Sequence, residues 1–372
     1  MIQLLGIGII AALLFWAQQK IYKRLWNRHL RVDLAFGTGS IFEGEYGVLR
    51  EVVENHKRLP ISMLKVKFTT SRSLLFENTE GSRTTDRYYR NDVFQIGGGE
   101  RITRTLQFLG GKRGYYSIDS VDLVATDLFM SKVMVDTIQL KRTIYVYPKP
   151  FESQGFRMSL QELNGEVLTK RHLLEDPFEY RGVREYEPFD DMRSINWKAT
   201  AKTGELKVNQ RSYTALESVR IFLNVTDNGI IKNTAGVEAG IQMMAGLSEF
   251  FLGQGFRVAC YTNGVDTVTG RAFLIETNGG KGQMEGIYRG LARLDLDREP
   301  EDFRGLFEEK LLQESGGMFT CFICPNQYDD FVALLEEFQA KERDYMWFYP
   351  VSSLKPPKLP STLQKHIRTI FV

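Results

Sequence analysis

Cysteine and histidine are scarce, and their scarcity removes several chemistries at once. The chain has three cysteines and four histidines in 372 residues. Cys260 stands alone, while Cys321 and Cys324 form a single CxxC with no second pair to complete a zinc site. An odd count without regular spacing argues against a disulfide framework. The CxxC lies in the apolar run GMFTCFICP, which reads as a buried strand, so its thiols are expected to pack rather than react. His29, His56, His172 and His366 are scattered, and no HExxH, GxSxG or P-loop occurs. His172 beside Glu175 and Asp176 reads as a solvated helix end, and the pairs Asp190–Asp191 and Asp329–Asp330 read as solvated turns. A large charge of one sign is also missing: the formal net charge is +2, which gives no sign of a nucleic-acid partner.

What is present is globular in composition, with 43% hydrophobic and 25% charged residues, in a chain long enough for two domains. The N-terminus, MIQLLGIGIIAALLFWAQQ, is apolar from Ile2 to Ala17 apart from Gln3, and Lys20, Lys23, Arg24, Arg28 and Arg31 follow. A secretory signal would carry its positive charge ahead of the apolar run; here it comes after. The run is shorter than the ~20 residues of a bilayer core, yet Trp16 and Tyr22 suit the interface and the lysines can snorkel. The expectation is a single-pass anchor over residues 1–28 whose basic flank keeps the body cytoplasmic. The alternative is a helix lying on the membrane surface.

Between residues 29 and 150 the runs LRVDLAF, GVLREVVENH, SMLKVKFTT, DVFQIGGG, RITRTLQFLG, GYYSIDSVDLVATD and TIYVYP predict a β-sandwich, several of them alternating with period two. IGGGER and LGGKRG read as hairpin turns whose glycines supply positive φ, and they lack the helix that a phosphate-cradling loop needs. From residue 216 to 372 strands alternate with helices, which predicts a mostly parallel sheet wrapped by helices. Its strand ends NVTDNG, YTNG and CPNQ stand where ligands bind in such sheets.

The connector, residues 151–215, holds the densest stretch, EYRGVREYEPFDDMRSINWKAT. Arg184, Tyr186, Asp190, Asp191, Arg193, Ile195, Trp197, Lys198, Ala201 and Lys202, followed by GELKVNQ, resemble the signature of the bacterial family called domain of unknown function 58. The stretches KRGYYSIDSVDLVATDLF and YVYPKP are also similar to that family's patterns. The resemblance implies a membrane-anchored protein with an Ig-like β-sandwich and a C-terminal α/β domain of von Willebrand factor A type. It also implies association with MoxR-type AAA+ ATPases. Phe189 stands where the family has glycine, so the turn before Asp190 is expected to differ.

An active von Willebrand A site resembles Asp-x-Ser-x-Ser plus a threonine and a later aspartate. Here the matching positions are Asn224, Thr226 and Asn228, Asp227 has the wrong parity, and the later position falls near Pro325 and Asn326. Amides and one hydroxyl make a poor magnesium site, so no metal or cofactor is expected and the strand end is read as a polar cap. The motif is read as a strap on the α/β domain, which requires a buried Trp197 and a pair between Asp190 or Asp191 and Arg184 or Arg193. The opposing reading is a docking surface. The resulting expectation is a non-enzymatic membrane-tethered interaction protein; a hydrolase using a cleft around Arg184, Asp190 and Arg193 is the alternative.

Overall fold

The computed structural model describes every residue except 1, 174, 188–191, 214–217, 228, 230–231, 314–317, 327–328, 341–344 and 352–362. The chain is a mixed α and β protein that divides into two compact units, Met1–Lys149 and Pro150–Val372.

The first unit opens with helix α1, Ile2–Leu25. One stretch of it, Leu5–Leu25, is long and apolar enough to cross a membrane. Its apolar side chains are exposed, with Leu5 and Leu14 each about two-thirds open. The last turns behave differently: Tyr22 and Trp26 are buried, and the Tyr22 hydroxyl donates to the Pro60 carbonyl at 3.1 Å. Tyr22 and Trp26, within the stretch 1–28 read as an anchor, thus belong to the apolar core of the strands that follow.

Ten strands follow: β1 Leu30–Phe36, β2 Ser40–Phe42, β3 Tyr46–Asn55, β4 Ile61–Thr70, β5 Leu74–Phe76, β6 Ser82–Thr84, β7 Tyr88–Ile96, β8 Arg101–Gly110, β9 Gly114–Thr126 and β10 Val133–Tyr147. They form two sheets, ordered β1-β3-β8-β5 and β2-β10-β9-β4-β7-β6. Inward positions of both sheets meet in one apolar core, as the period of two dictates. Phe76 of the first sheet stacks on Tyr88 of the second at 4.6 Å and tilts against Phe108 at 5.3 Å. This is the expected β-sandwich. The two glycine turns are not hairpins, however. β7 and β8 lie in different sheets, as do β8 and β9, so IGGGER and LGGKRG each carry the chain across the sandwich. Of the three glycines in IGGGER only Gly99 has positive φ, at 75°; Gly98 is needed because a Cβ there would come within 2.4 Å of the Arg58 carbonyl oxygen.

The second unit begins with helix α2, Gln154–Leu173, inside the segment read as a connector. Ser153 caps it, accepting from the Phe156 N–H at 3.1 Å. Its Phe156, Leu160, Leu163 and Val167 are buried at i, i+3 and i+4 spacing, so it is a packed helix of this unit. Next come β11 Glu175–Glu185, the seven-residue helix α3 Trp197–Thr203 and β12 Lys207–Tyr213; β11 and β12 pair antiparallel.

The remainder alternates β13 Ser218–Leu223, α4 Thr234–Gly253, β14 Arg257–Asp266, β15 Ala272–Asn278, α5 Lys281–Arg293, β16 Leu294–Asp295, α6 Phe303–Gln313, β17 Phe319–Ile323, α7 Asp329–Ala340, β18 Tyr345–Val351 and β19 Ile367–Phe371. The sheet order is β15-β14-β13-β17-β18-β19, with β16 added beside β14. β14, β13, β17, β18 and β19 run parallel, and β15 runs antiparallel at its edge. Strand parity splits the burial. Phe222 and Phe322 point into an aromatic cluster with α6 and α7, while Leu223 and Ile323 meet α4, close enough that a Cβ on Gly240 would lie 3.1 and 3.2 Å from them. Helices thus cover both faces, as the alternation predicts. Cys260, Cys321 and Cys324 are all free and buried, and burial pushes the Cys260 and Cys324 thiols up to about 12, which leaves them inert.

Candidate functional site

Two places concentrate polar chemistry in the second unit. The first is the carboxyl end of the parallel strands at the point where sheet order reverses, between β13 and β17. Asn224 and Thr226 lie here; Asn228 is outside the described residues. The Asn224 Oδ1 accepts from the Thr226 N–H at 2.9 Å, closing a tight Asx turn. Asn263, fully buried in β14 just past its pairing with β13, accepts from the Val225 N–H at 3.0 Å and donates to the Thr226 hydroxyl at 2.8 Å and the Glu301 carbonyl at 3.0 Å. Asn326, after β17, donates to the Thr226 carbonyl at 2.7 Å.

The off-parity Asp227 turns toward α4. Its carboxylate accepts from the N–H groups of Gly229 and Asn233, and the Asn233 side chain then caps the helix through the Gly236 N–H at 3.1 Å. The three amides and the Thr226 hydroxyl are therefore committed to one another, to backbone and to neighbouring loops. This is the arrangement of a polar cap on the sheet. Sequence reasoning misses Asn263 and Asn233, although YTNG and the asparagine before the α4 pattern are both visible in it.

Two clefts flank this strand end, of about 480 Å³ and about 760 Å³. Three of their carboxylates are held by neighbouring groups. Asp295 pairs with Arg298 at 3.2 Å, Asp302 caps the start of α6, and the Glu301 carboxylate accepts from the Ala272 N–H at 2.8 Å. Among the described residues no three His, Cys, Asp or Glu side chains gather into a metal-holding group.

The second place is the motif. β11 and β12 form a two-stranded ladder in which Glu185 faces Lys207 and Arg184 faces Val208. The Tyr186 N–H extends it to the Leu206 carbonyl at 3.0 Å. Between the strands, a turn at Met192–Ser194 leads to Ile195, which bridges Val208; both are buried and form the seam. Asn196 then starts α3, its Oδ1 accepting from the Ala199 N–H at 2.9 Å and its amide donating to Asn209 at 2.6 Å. Gly204 ends the helix with φ 78°, where a side chain would be strained. Lys207 is held above its ordinary range, first by its hydrogen bond to Glu185 and then by Glu205.

The strap reading fails on Trp197. Its side chain is 65% exposed, and α3 buries no residue. The inward position is Ile195, two residues earlier, so the first helical residue is carried outward. Aromatic and isoleucine residues spaced through the motif suggest burial, but only the isoleucine lies inward. Arg184 donates to the Glu185 carbonyl at 3.0 Å and lies 3.9 Å from the Glu187 carboxylate, while Asp190 and Asp191 lie outside the described residues. Met192, at 63%, is also exposed, and so are Arg193, Lys198 and Lys202 in the same stretch. The motif exposes large apolar side chains together with basic and acidic ones, Glu185, Glu187 and Glu205 among the latter. Neither Arg184 nor Arg193 lines the two clefts near the strand end.

No family model matches the chain. No curated protein matches it either. Solved structures align over about a third of it. They include a non-cellulosomal cohesin from the archaeon Archaeoglobus fulgidus, 10% identical, covering 31% of this chain and 91% of its own, with a TM-score of 0.22. A CARDB domain from Pyrococcus furiosus is 13% identical, covering 32% of this chain and 90% of its own, also with a TM-score of 0.22. The sandwich is defined by its own sheets and core, not by likenesses of that quality.

Proposed function

We propose that this protein is a membrane-tethered, non-enzymatic adaptor whose partner is a MoxR-type AAA+ ATPase, with an Ig-like sandwich and a von Willebrand A-like α/β unit. The partner's identity rests on the resemblance of the motif to its family. The observation that carries the reading is the exposure of Trp197 and Met192, with Arg193, Lys198 and Lys202 also exposed in the same stretch. Large exposed side chains beside a paired hairpin, with exposed cations in the same stretch, suit an acidic protein surface. The amide cap at the strand end supports a scaffold over a metal-dependent enzyme.

The test is a paired measurement on the detergent-solubilised full chain. Met192→Ala with Trp197→Ala should weaken capture of the ATPase at least ~10-fold, with and without nucleotide, since central aromatic anchors typically cost ~2 kcal/mol or more. The same variant should melt like the parent, because exposed substitutions usually stay within ~0.5 kcal/mol. Unchanged capture removes the docking reading, and a large loss of stability restores the strap.

The basic residues after Ala17 place the body on the cytoplasmic side in this reading. Protease added to intact spheroplasts should leave the body uncut; digestion from outside reverses the orientation.

A further inference from the structure

The β9–β10 hairpin has an unusual tip. Turns that face water favour Gly, Asn, Asp, Ser and Pro. This one reads Asp127-Leu-Phe-Met-Ser-Lys132, and Leu128, Phe129 and Met130 are 48%, 62% and 62% exposed. Val133 and Val135, on one face of β10 by parity, are each 66% exposed. The tip is also rigid. The buried Asp127 carboxylate accepts from the Ser131 N–H at 2.6 Å, the Ser131 hydroxyl at 2.5 Å and the Lys132 N–H at 3.0 Å, and Met130 is held at φ 55°. A side chain held in that region costs energy, so this apolar presentation is maintained against strain.

The hairpin runs beside α1. Asn27 donates to the Asp136 carboxylate at 3.1 Å, Gln19 to the Ser131 hydroxyl at 3.0 Å, and the rings of Phe15 and Phe129 lie 5.7 Å apart. At 1.5 Å per residue, Phe15 sits about 7.5 Å further along the helix axis than Lys20, within the apolar run. The Lys20 ammonium folds back over the Trp16 ring at 4.0 Å, a pairing suited to the headgroup level. Phe129 therefore stands against the apolar run of α1, beside that level, wherever α1 spans the bilayer. The exposed apolar surface of the tip is continuous with that of α1, and Lys132 at its edge can snorkel to the surface.

We propose that the β9–β10 tip inserts into the lipid leaflet from which the C-terminal end of α1 emerges. Leu128, Phe129 and Met130 enter the acyl boundary, and Val133 and Val135 rest at the interface. With Tyr22 and Trp26 locked into the sandwich core, the anchor and tip then hold that unit against the membrane at two points, not on a loose tether. The proposal rests on the reading that α1 spans the membrane.

The test uses the full chain in phospholipid vesicles, with single cysteines labelled by an environment-sensitive fluorophore. All three native cysteines are buried and leave the label selective. Phe129→Cys and Met130→Cys probe the tip, Leu13→Cys the anchor, and Leu75→Cys a water-facing site of the sandwich that is 51% exposed in the parent. The tip labels should be quenched several-fold more by nitroxide lipids than the label at 75, and protected from aqueous iodide. Lipid quenching at 13 with iodide access at both tip positions overturns the proposal while the anchor stands. Shielding of the tip from both quenchers also overturns it, because protein, such as a second copy of the chain, would then be the cover. Absence of lipid quenching at 13 removes the spanning anchor and the proposal with it.

Discussion

Replacing Glu51 by glutamine is expected to flatten the pH dependence of stability between about pH 5 and pH 8 and to raise the melting temperature at the alkaline end of that range. Glu51 lies on β3 at the inward parity, flanked by Leu49 and Val53, and is fully buried. Neither of its carboxyl oxygens has a hydrogen-bond partner of ordinary geometry. Nearby, Asp92 on β7 takes the available cations: Arg90 forks onto it at 2.5 and 3.1 Å, and Arg104 reaches it at 2.6 Å. Burial first, and then the charge of Asp92, pushes the Glu51 carboxyl up to about 8, against the smaller opposing pull of Arg104 and Arg90.

The sign follows from linkage. A folded pKa above the unfolded value of about 4.3 means that the folded state holds the proton more tightly, so this group's contribution is best at low pH. It is lost progressively as pH rises toward about 8 and is constant above that. Each tenfold difference in proton affinity between the folded and unfolded chain is worth about 1.4 kcal/mol, so the loss is on the order of 3–5 kcal/mol. The glutamine variant carries no ionisable group there and should lose that slope whatever its absolute stability. Glu51→Leu, which also leaves no buried amide, provides the second reading. Melts of parent and variants across this range decide it: parallel curves would mean that Glu51 is ionised in the fold and paired with a cation.

The same residue shows what can be read in advance. In GVLREVVENH the alternation places Glu51 with the apolar parity, so its burial is legible, yet the ion cluster around it needs β7 and β8 to be brought together across the sandwich. The pattern of residues locates β13, α4, β14, β17, α7 and β18 because each carries its own period and end signals. It does not show which sheet each sandwich strand joins, because a glycine turn looks alike whether it closes a hairpin or crosses a core. α2 merges into a connector because its charged outer face hides the stripe of Phe156, Leu160, Leu163 and Val167. At the strand end, Asn224 and Thr226 are found by position, but their commitment to Asn263 and Asn326 depends on strands far apart in the chain. Trp197 defeats the expectation because residue type suggests burial, whereas the inward position of the turn is taken by Ile195 two residues earlier.

Trp347 is a tryptophan that the second unit encloses, and its removal should cost far more than that of Trp197. On β18 it is fully enclosed, set edge-on to Phe331 at 5.1 Å and Tyr349 at 5.5 Å. Its indole N–H donates to the Cys324 carbonyl at 3.1 Å, just beyond the end of β17. Trp347→Ala leaves a cavity in the aromatic cluster, at a typical cost of about 3–5 kcal/mol. It also strands a buried carbonyl, for about 1–3 kcal/mol more where no water enters. Trp347→Phe keeps an aromatic ring and loses the donor, so it should fall between the parent and the alanine variant. Cys324 leads directly to Asn326, which holds the Thr226 carbonyl, so the alanine variant should also loosen the amide cap at the sheet's carboxyl end. Urea unfolding gives the ordering, and amide hydrogen exchange at Val225 and Thr226 reports the cap. Equal stability of Trp347→Ala and Trp197→Ala would place the aromatic cluster outside the core of this unit. A destabilised variant with unchanged exchange at those two amides would confine the role of Trp347 to packing.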